Sequence, residues 1–447
     1  MPALQTASPD RTSLDTLLRF GEYALVFACL VVFTEGILPR LFATESDPES
    51  TFLRLLWLPV YALIGLGCAV MLPRFLAAVV RMPFLVFMLA LACVSWMWSI
   101  NPEVTERRAI AILATTLGGF FLAVRYDWRT LLRLLGAVWI FMALVSFFAA
   151  LAMPGMGIMS EVHPGAWRGL WWEKNALGGH MARASFLMGF LLIVDRPWRL
   201  VWAGGLVMTV ALVLLSTSKT ALLGMAAGFA VLAVAGWMRR GVRTTLSILW
   251  LGMIVLGAVG LVLLFDPGLI LRLLGRDPTL TGRTDIWTAL LDAIAARPWL
   301  GYGYGAFWGE DSQPAYMVRL ATEWLVPTAH NGWLETALSI GVIGLIALVL
   351  NFLLMLVRAA WLAVSSWSGV FALGLCGQFL LFSISESIAL QQNTIVWVTY
   401  VAVGAKVALS VRDRLREARN APPSTASAAG RKSLTGRAGR PVLVRII

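Results

Sequence analysis

Lys219, in the run Ser216-Thr217-Ser218-Lys219-Thr220, stands between two long apolar stretches with no other charge from Arg199 to Arg239. A charge at membrane depth costs about 3 kcal/mol, so it needs a reason. Two readings are open: an ammonium snorkelling to the interface, or a cation facing a cavity with hydroxyl neighbours. Lys174-Asn175 follows Trp171-Trp172-Glu173 at the mouth of another apolar run. A helix N-terminus beside a cation is a ready anion site, whereas the tryptophans alone read as an aromatic belt. Arg183, three residues beyond His180, lies on the same helical face about one turn deeper, either in that cavity or snorkelling. In Thr281-Gly282-Arg283-Thr284-Asp285-Ile286-Trp287, Arg283 sits at the positive end of a short amphipathic helix. Thr281 or Thr284 is the candidate N-cap, Asp285 lies in the first turn, and Arg297-Pro298 stops the helix. A solvated surface arginine is the alternative. His330-Asn331 opens another apolar run with Glu335 within about one and a half turns. Histidine titrates in the right range for a general base, though an isolated one is more often structural. Cations and one candidate base from four segments suit a polyanionic substrate.

These side chains must be positioned by helices in lipid. Of 447 residues 59% are hydrophobic and 13% charged, against about 25% charged in soluble domains. A span takes about 20 apolar residues. The hydropathy pattern predicts twelve spans, at about 20–38, 52–72, 83–100, 107–124, 131–153, 178–194, 199–216, 220–238, 244–265, 332–357, 367–384 and 390–410. The expected fold is an all-α polytopic membrane protein. Residues 1–19 form its N-terminal extension and 20–410 its membrane domain, with two long loops at about 154–177 and 266–331. The second loop should hold short amphipathic helices and, at Gly301 to Trp308, a flexible aromatic-glycine stretch. Residues 411–447 read as a basic, disordered tail.

Orientation follows from Lys and Arg. The loops and ends expected inside carry 22 of the 36 basic residues, among them Arg74, Arg81, Arg125, Arg129, Arg133, Arg239, Arg240 and Arg358. By the positive-inside rule both termini are then cytoplasmic and both long loops external. The net charge of +12 does not argue for nucleic acid, because nine of these residues lie between Arg412 and Arg445. Anionic membrane lipid is the expected partner. Cys29, Cys68, Cys93 and Cys376 all fall in apolar runs without metal or disulfide spacing. No external carboxylates have the spacing to hold a divalent ion, so no metal is expected. Gly301 to Gly305 lacks the residues of a nucleotide loop, so no nucleotide cofactor is expected either. The first apolar run has no small-residue cleavage site after it and should stay as a span.

The order of a KNxxG element (Lys174 to Gly178), an S-[RK]-T element (Ser218 to Thr220), a TGRxxxW element (Thr281 to Trp287), a GxGxG-like stretch and an HNxxLE element (His330 to Glu335) resembles the O-antigen ligase and polymerase superfamily over about residues 160–350. The resemblance implies a GT-C-like integral glycosyltransferase of the bacterial inner membrane, with its active site facing the periplasm. The implied donor is an undecaprenyl-diphosphate-linked glycan. In the ligase branch the acceptor is the lipid A-core oligosaccharide, and the product is finished lipopolysaccharide, made without metal or cofactor by an inverting step. By motif, His330 matches the family's essential histidine, Arg283 its loop arginine and Lys219 its basic residue, usually arginine. These are the implied catalytic residues; Lys174, Asn175, Arg183, Asn331, Glu335 and Asp285 are the candidate substrate contacts. Lysine at 219 departs from the pattern, giving a point charge where a fork would stand.

A polymerase joining repeat units, or a protein O-oligosaccharyltransferase, would share donor and motifs and differ in acceptor. A secondary transporter or lipid flippase is the reading from another class. It calls for two similar halves with broken helices at the midplane, and the sequence displays neither.

Overall fold

The structure, a computed structural model, describes residues 9–43, 51–254 apart from 242, 245, 248 and 249, 283–323, and 325–420. In chain order the helices are α1 (Pro9–Val32), α2 (Ile37–Phe42), α3 (Thr51–Val70), α4 (Leu72–Val79), α5 (Pro83–Val94), α6 (Pro102–Arg125), α7 (Trp128–Ala152), α8 (Pro154–Gly157), α9 (Lys174–Val194), α10 (Arg199–Leu215), α11 (Lys219–Met238), α12 (Arg283–Ala296), α13 (Gln313–Thr322), α14 (Gly332–Ala363), α15 (Trp367–Ser385) and α16 (Ile395–Asn420). The chain is an all-α polytopic membrane protein. Among the described residues nine helices are long and apolar enough to cross a membrane. A tenth span exists if α4 and the stretch Pro83–Trp98, bent by 96° at a short break, form one.

Twelve spans were expected, and the difference has local causes. The first apolar run is interrupted: α1 ends at Val32, Glu35 takes a positive φ of 52°, and the chain restarts in the short α2. The expected spans at 52–72 and 83–100 are joined by α4 through the sharp bend. Most of the expected span at 244–265 lies outside the described residues. α16 runs on to Asn420, so the tail expected to be disordered from 411 begins as helix, and 421–447 lie outside the described residues.

Residues from the loops expected to share a side do meet. On the face opposite His330, Arg133 bonds Asp195 through Nε and Nη2 at 2.8 and 2.6 Å. Arg358 donates to the Arg81 carbonyl at 2.8 Å, and Arg239 lies over the Trp367 ring at 4.2 Å. Lys406, inside α16, is buried and donates to the Ala123 and Tyr126 carbonyls at 3.3 and 2.5 Å, capping the C-terminus of α6 where its dipole favours a cation. Asn101 and Asp127 cap the N-termini of α6 and α7, accepting from Val104 and Thr130.

The segment from α12 to His330 is a packed layer on the membrane helices. Ile286 and Leu290 of α12 are fully buried among Tyr302, Phe307, Val318 and Val326. The apolar face of this amphipathic helix is therefore covered by the protein itself. The aromatic-glycine stretch is likewise not flexible: Tyr302, Tyr304 and Phe307 are 5%, 3% and 1% exposed. It is bonded into a break in α14, where Ile340 and Gly341 leave helical geometry. Tyr302 and Gly303 donate to the freed carbonyls of Leu338 and Ser339 at 2.8 and 3.1 Å, and Val342 donates to Pro298 at 2.7 Å. Gly301 has a φ of +67°, and a Cβ there would stand 2.4 Å from the Leu338 carbonyl oxygen, so only glycine fits. No broken helix was expected, and one exists, about 12 Å from the start of α14 at 1.5 Å per residue. Irregular backbone at membrane depth is tolerated where other protein groups satisfy it, as here.

Candidate active site

The loop Thr328-Ala329-His330 enters α14 through two clamps on one residue. The Ala329 N–H donates to Glu335 Oε2 at 2.9 Å, and its carbonyl accepts from Trp287 Nε1 at 3.1 Å. Glu335 also accepts from Trp308 Nε1 at 2.9 Å and from the Ser387 hydroxyl at 3.2 Å. Asn331 is the N-cap of α14, its Oδ1 accepting from the N–H groups of Trp333 and Leu334 at 3.0 and 3.1 Å. Asn331 and Glu335, candidate substrate contacts, are thus committed to building the loop. Trp287, the last residue of the TGRxxxW element, ties α12 to it.

The clamps hold His330 at φ +46°, a left-handed backbone that histidine adopts more readily than most residues but that costs about 1–3 kcal/mol. Its Nδ1 stands 3.6 Å from Glu386 Oε2, within ion-pair range, with 16% and 31% of the two side chains exposed. Glu386 follows the last turn of α15. It was not foreseen, because a charge at the end of an apolar run reads as an interfacial residue and nothing local links it to His330.

Arg183 projects from α9 toward the same place. Its Cζ lies 4.6 Å from the centre of the Phe382 ring, one turn before Glu386, whose charge acts on it. Arg183 Nε and Nη1 are buried without a hydrogen-bond acceptor from the described residues, so donors are spare for an anion. His180, one turn nearer the mouth, lies between Trp139 and Trp171 at 5.3 and 4.9 Å. Trp171 is 5% exposed and donates to the Thr34 carbonyl at 3.0 Å. It belongs to the core and not to a membrane belt.

The KNxxG and S-[RK]-T elements form one mouth. Lys174 Nζ is 3.4 Å from Thr217 Oγ1, and the Ser218 hydroxyl donates to Asn175 Oδ1 at 2.9 Å. Ser218 also caps α11 by accepting from Ala221 N–H. Lys219 is exposed and close enough to Lys174 for their charges to interact. Asn175 is occupied by Ser218. Gly178 explains the fifth position of its motif: a Cβ would fall 2.6 Å from Ser216 Oγ and 2.8 Å from Ala221 Cβ. The close approach holds the two basic elements together.

Arg283 begins the described part of α12, and its side chain lies outside the described residues, as does Thr281. Thr284 is inside the helix and so is not its cap; Asp285 is exposed in the first turn. The structure therefore brings His330 together with Glu386, and Lys174 with Lys219. Arg183 is nine residues along α9 from Lys174, about 13 Å of helix, and lies against Phe382 within electrostatic reach of Glu386. Behind the His330 loop a polar cavity of about 120 Å³ is lined by Tyr304, Thr328, Glu335, Thr336, Ser339 and Ser387, among others. Burial pushes the Tyr304 phenol far above its usual range. It stays protonated, 2.7 Å from both Leu390 O and Gln392 Oε1.

The fold is a polytopic all-α membrane fold, and two comparisons bear on its family. Residues 204–349 match the family model described as O-antigen ligase. That range holds Lys219, Arg283, His330 and Glu335, and leaves out Lys174, Arg183 and Glu386. The chain is also 29% identical over 275 residues to the exopolysaccharide production protein ExoQ of Rhizobium meliloti (strain 1021), an alignment covering 58% of this chain and 61% of the relative. The chain thus spans about three fifths of the length of the curated relative it matches. Both matches are similarities of part of the chain to proteins of the O-antigen ligase and polymerase kind.

Proposed function

We propose that this protein is an inverting glycosyltransferase of the inner membrane that moves a glycan from a polyprenyl diphosphate, of the undecaprenyl type, to a sugar hydroxyl at the periplasmic face. The observation that carries the reading is the meeting of His330 with Glu386 beside the spare donors of Arg183. In the step, His330 takes the acceptor hydroxyl's proton while that oxygen attacks the anomeric carbon. The bond from that carbon to the diphosphate oxygen breaks, and its electron pair leaves with the diphosphate. Charge grows on the leaving group, and Arg183, Lys174, Lys219 and Arg283 are the cations to receive it; one such preorganised donor is worth about 10²–10³ in rate. A general base adds about 10²–10⁴. Glu386 steadies the imidazolium that forms.

For the acceptor, we favour the growing end of another glycan, which makes the enzyme a polymerase. The similarity to an exopolysaccharide production protein supports this. Lipid A-core as acceptor is the second reading, supported by the family model's description as O-antigen ligase. The deciding experiment supplies purified full-length protein in detergent with an undecaprenyl-diphosphate repeat unit, with and without lipid A-core. Chains of several repeats on the lipid carrier identify the polymerase. Glycan appearing only on lipid A-core identifies the ligase, and no transfer to either overturns the proposal.

A further inference from the structure

We infer that the face opposite His330 holds a binding site for one anionic glycerophospholipid, with its phosphate in a basic pocket and an acyl chain in an adjoining groove. The groove, of about 520 Å³, runs between α1, α3 and α6 and is lined mainly by apolar residues such as Leu25, Leu63, Leu66 and Phe121, with Glu22 and Arg125 at one end. From Glu22 to Phe33 it follows α1 for about 16 Å, close to half of the roughly 30 Å hydrocarbon core. It is one leaflet deep. Leu25, Leu63 and Leu66 are exposed, as lipid-facing residues are. A long polyprenyl chain would overrun the groove, whereas an acyl chain fits its depth.

Arg125 also lines the second cavity, of about 430 Å³, with Arg74, Lys406 and Arg412 set against Asp127 and Asp413. Two of its four cations are engaged: Arg125 with Glu22, through Nε at 2.6 Å, and Lys406 with the last carbonyls of α6. Lys406 is 8% exposed and keeps a third N–H beyond those two carbonyls. Arg74 and Arg412 make no hydrogen bond among the described residues, and Arg81 and Arg416 add positive charge beside Arg412. Asp127 is held by Thr130 N–H at 2.8 Å. The pocket thus has cations to spare at the end of a chain-sized groove, the distribution of charge and apolar surface that an anionic phospholipid presents in reverse.

The test measures lipid retained by the full-length protein, by native mass spectrometry from detergent, after incubation with 1-palmitoyl-2-oleoyl phosphatidylglycerol or the phosphatidylcholine with the same chains. One phosphatidylglycerol should be retained in clear preference. Arg74→Gln with Arg412→Gln should weaken its apparent affinity about thirtyfold, at roughly fivefold for each cation near the lipid surface. Leu25→Trp, which fills the groove without touching the cations, should weaken it as well. Both variants should keep the parent's unfolding midpoint in lipid-free detergent; if the double variant does not fold, Leu25→Trp and the comparison of the two lipids decide. Equal retention of the two lipids, or undiminished binding by the variants, would overturn the assignment.

Discussion

His330 and Glu386 face each other at 3.6 Å across the junction of two helices that are separate in sequence, one residue before the N-cap of α14 and the other just past the end of α15. The distance exceeds a hydrogen bond, as catalytic contacts often do before substrate arrives. Glu386→Gln keeps the shape and removes the charge that would steady a protonated ring. We expect turnover to fall about 10- to 100-fold, the worth of a hydrogen bond to a charged group, with the Michaelis constant for the lipid donor unchanged. Steady-state kinetics with varied donor separates this from a binding defect.

Trp287 reaches the same loop from α12. Trp287→Phe removes the donor to the Ala329 carbonyl and keeps most of the packing. Transfer should fall several-fold, in line with about 1 kcal/mol for one hydrogen bond, while the amount of membrane-inserted protein stays level. Equal loss of activity and protein would mean that Trp287 serves folding alone.

Gly178 tests the coupling of the two basic elements. Gly178→Ala places a methyl 2.6 Å from Ser216 Oγ, and overpacking of this kind costs about 1–3 kcal/mol. The unfolding midpoint should drop, and transfer should drop with it as Lys174 moves from Thr217. Adding Ser216→Gly should restore only part of the midpoint, because the Ala221 Cβ at 2.8 Å remains.

On the opposite face, the Arg133 guanidinium, helped by the Trp202 indole N–H, holds the buried Asp195 carboxyl below the usual carboxylate range. A depressed folded value stabilises the protein at any pH above the ordinary carboxylate value. That stability is lost as pH falls through the lower folded value. Thermal melts between about pH 5 and pH 2 should show an acid limb that Asp195→Asn flattens. Arg133→Ala strands the buried carboxylate and should cost about 3–5 kcal/mol near neutral pH.

Much of the fold could be read from hydropathy, because a span in lipid has few alternatives. The breaks could not. Glu35 and Gly341 sit in runs whose composition reads as continuous helix, and their geometry comes from what packs against them: for Gly341, the backbone of Trp299 and Leu300. The candidate site was visible in the sequence where a motif is contiguous, as for Lys174-Asn175 and His330-Asn331. Its internal division of labour was not, since Asn331 and Glu335 differ from a substrate contact only in what they bond, and Glu386 meets His330 through a tertiary contact without a local pattern. The amphipathic helix at Arg283 was visible by period, but the partner of its apolar face was not, because Phe307 and Val318 lie in a stretch that glycine and polar residues disguise as loop.

The most direct test of the account is the single-turnover rate of glycan transfer by purified His330→Ala with both lipid donor and acceptor saturating. If His330 takes the acceptor's proton, the rate falls by about 10² or more, while binding of the polyprenyl diphosphate donor and the unfolding midpoint match the parent. A variant that transferred glycan at near the parent's rate under these conditions would contradict the general-base role, leaving the cations alone to carry the chemistry.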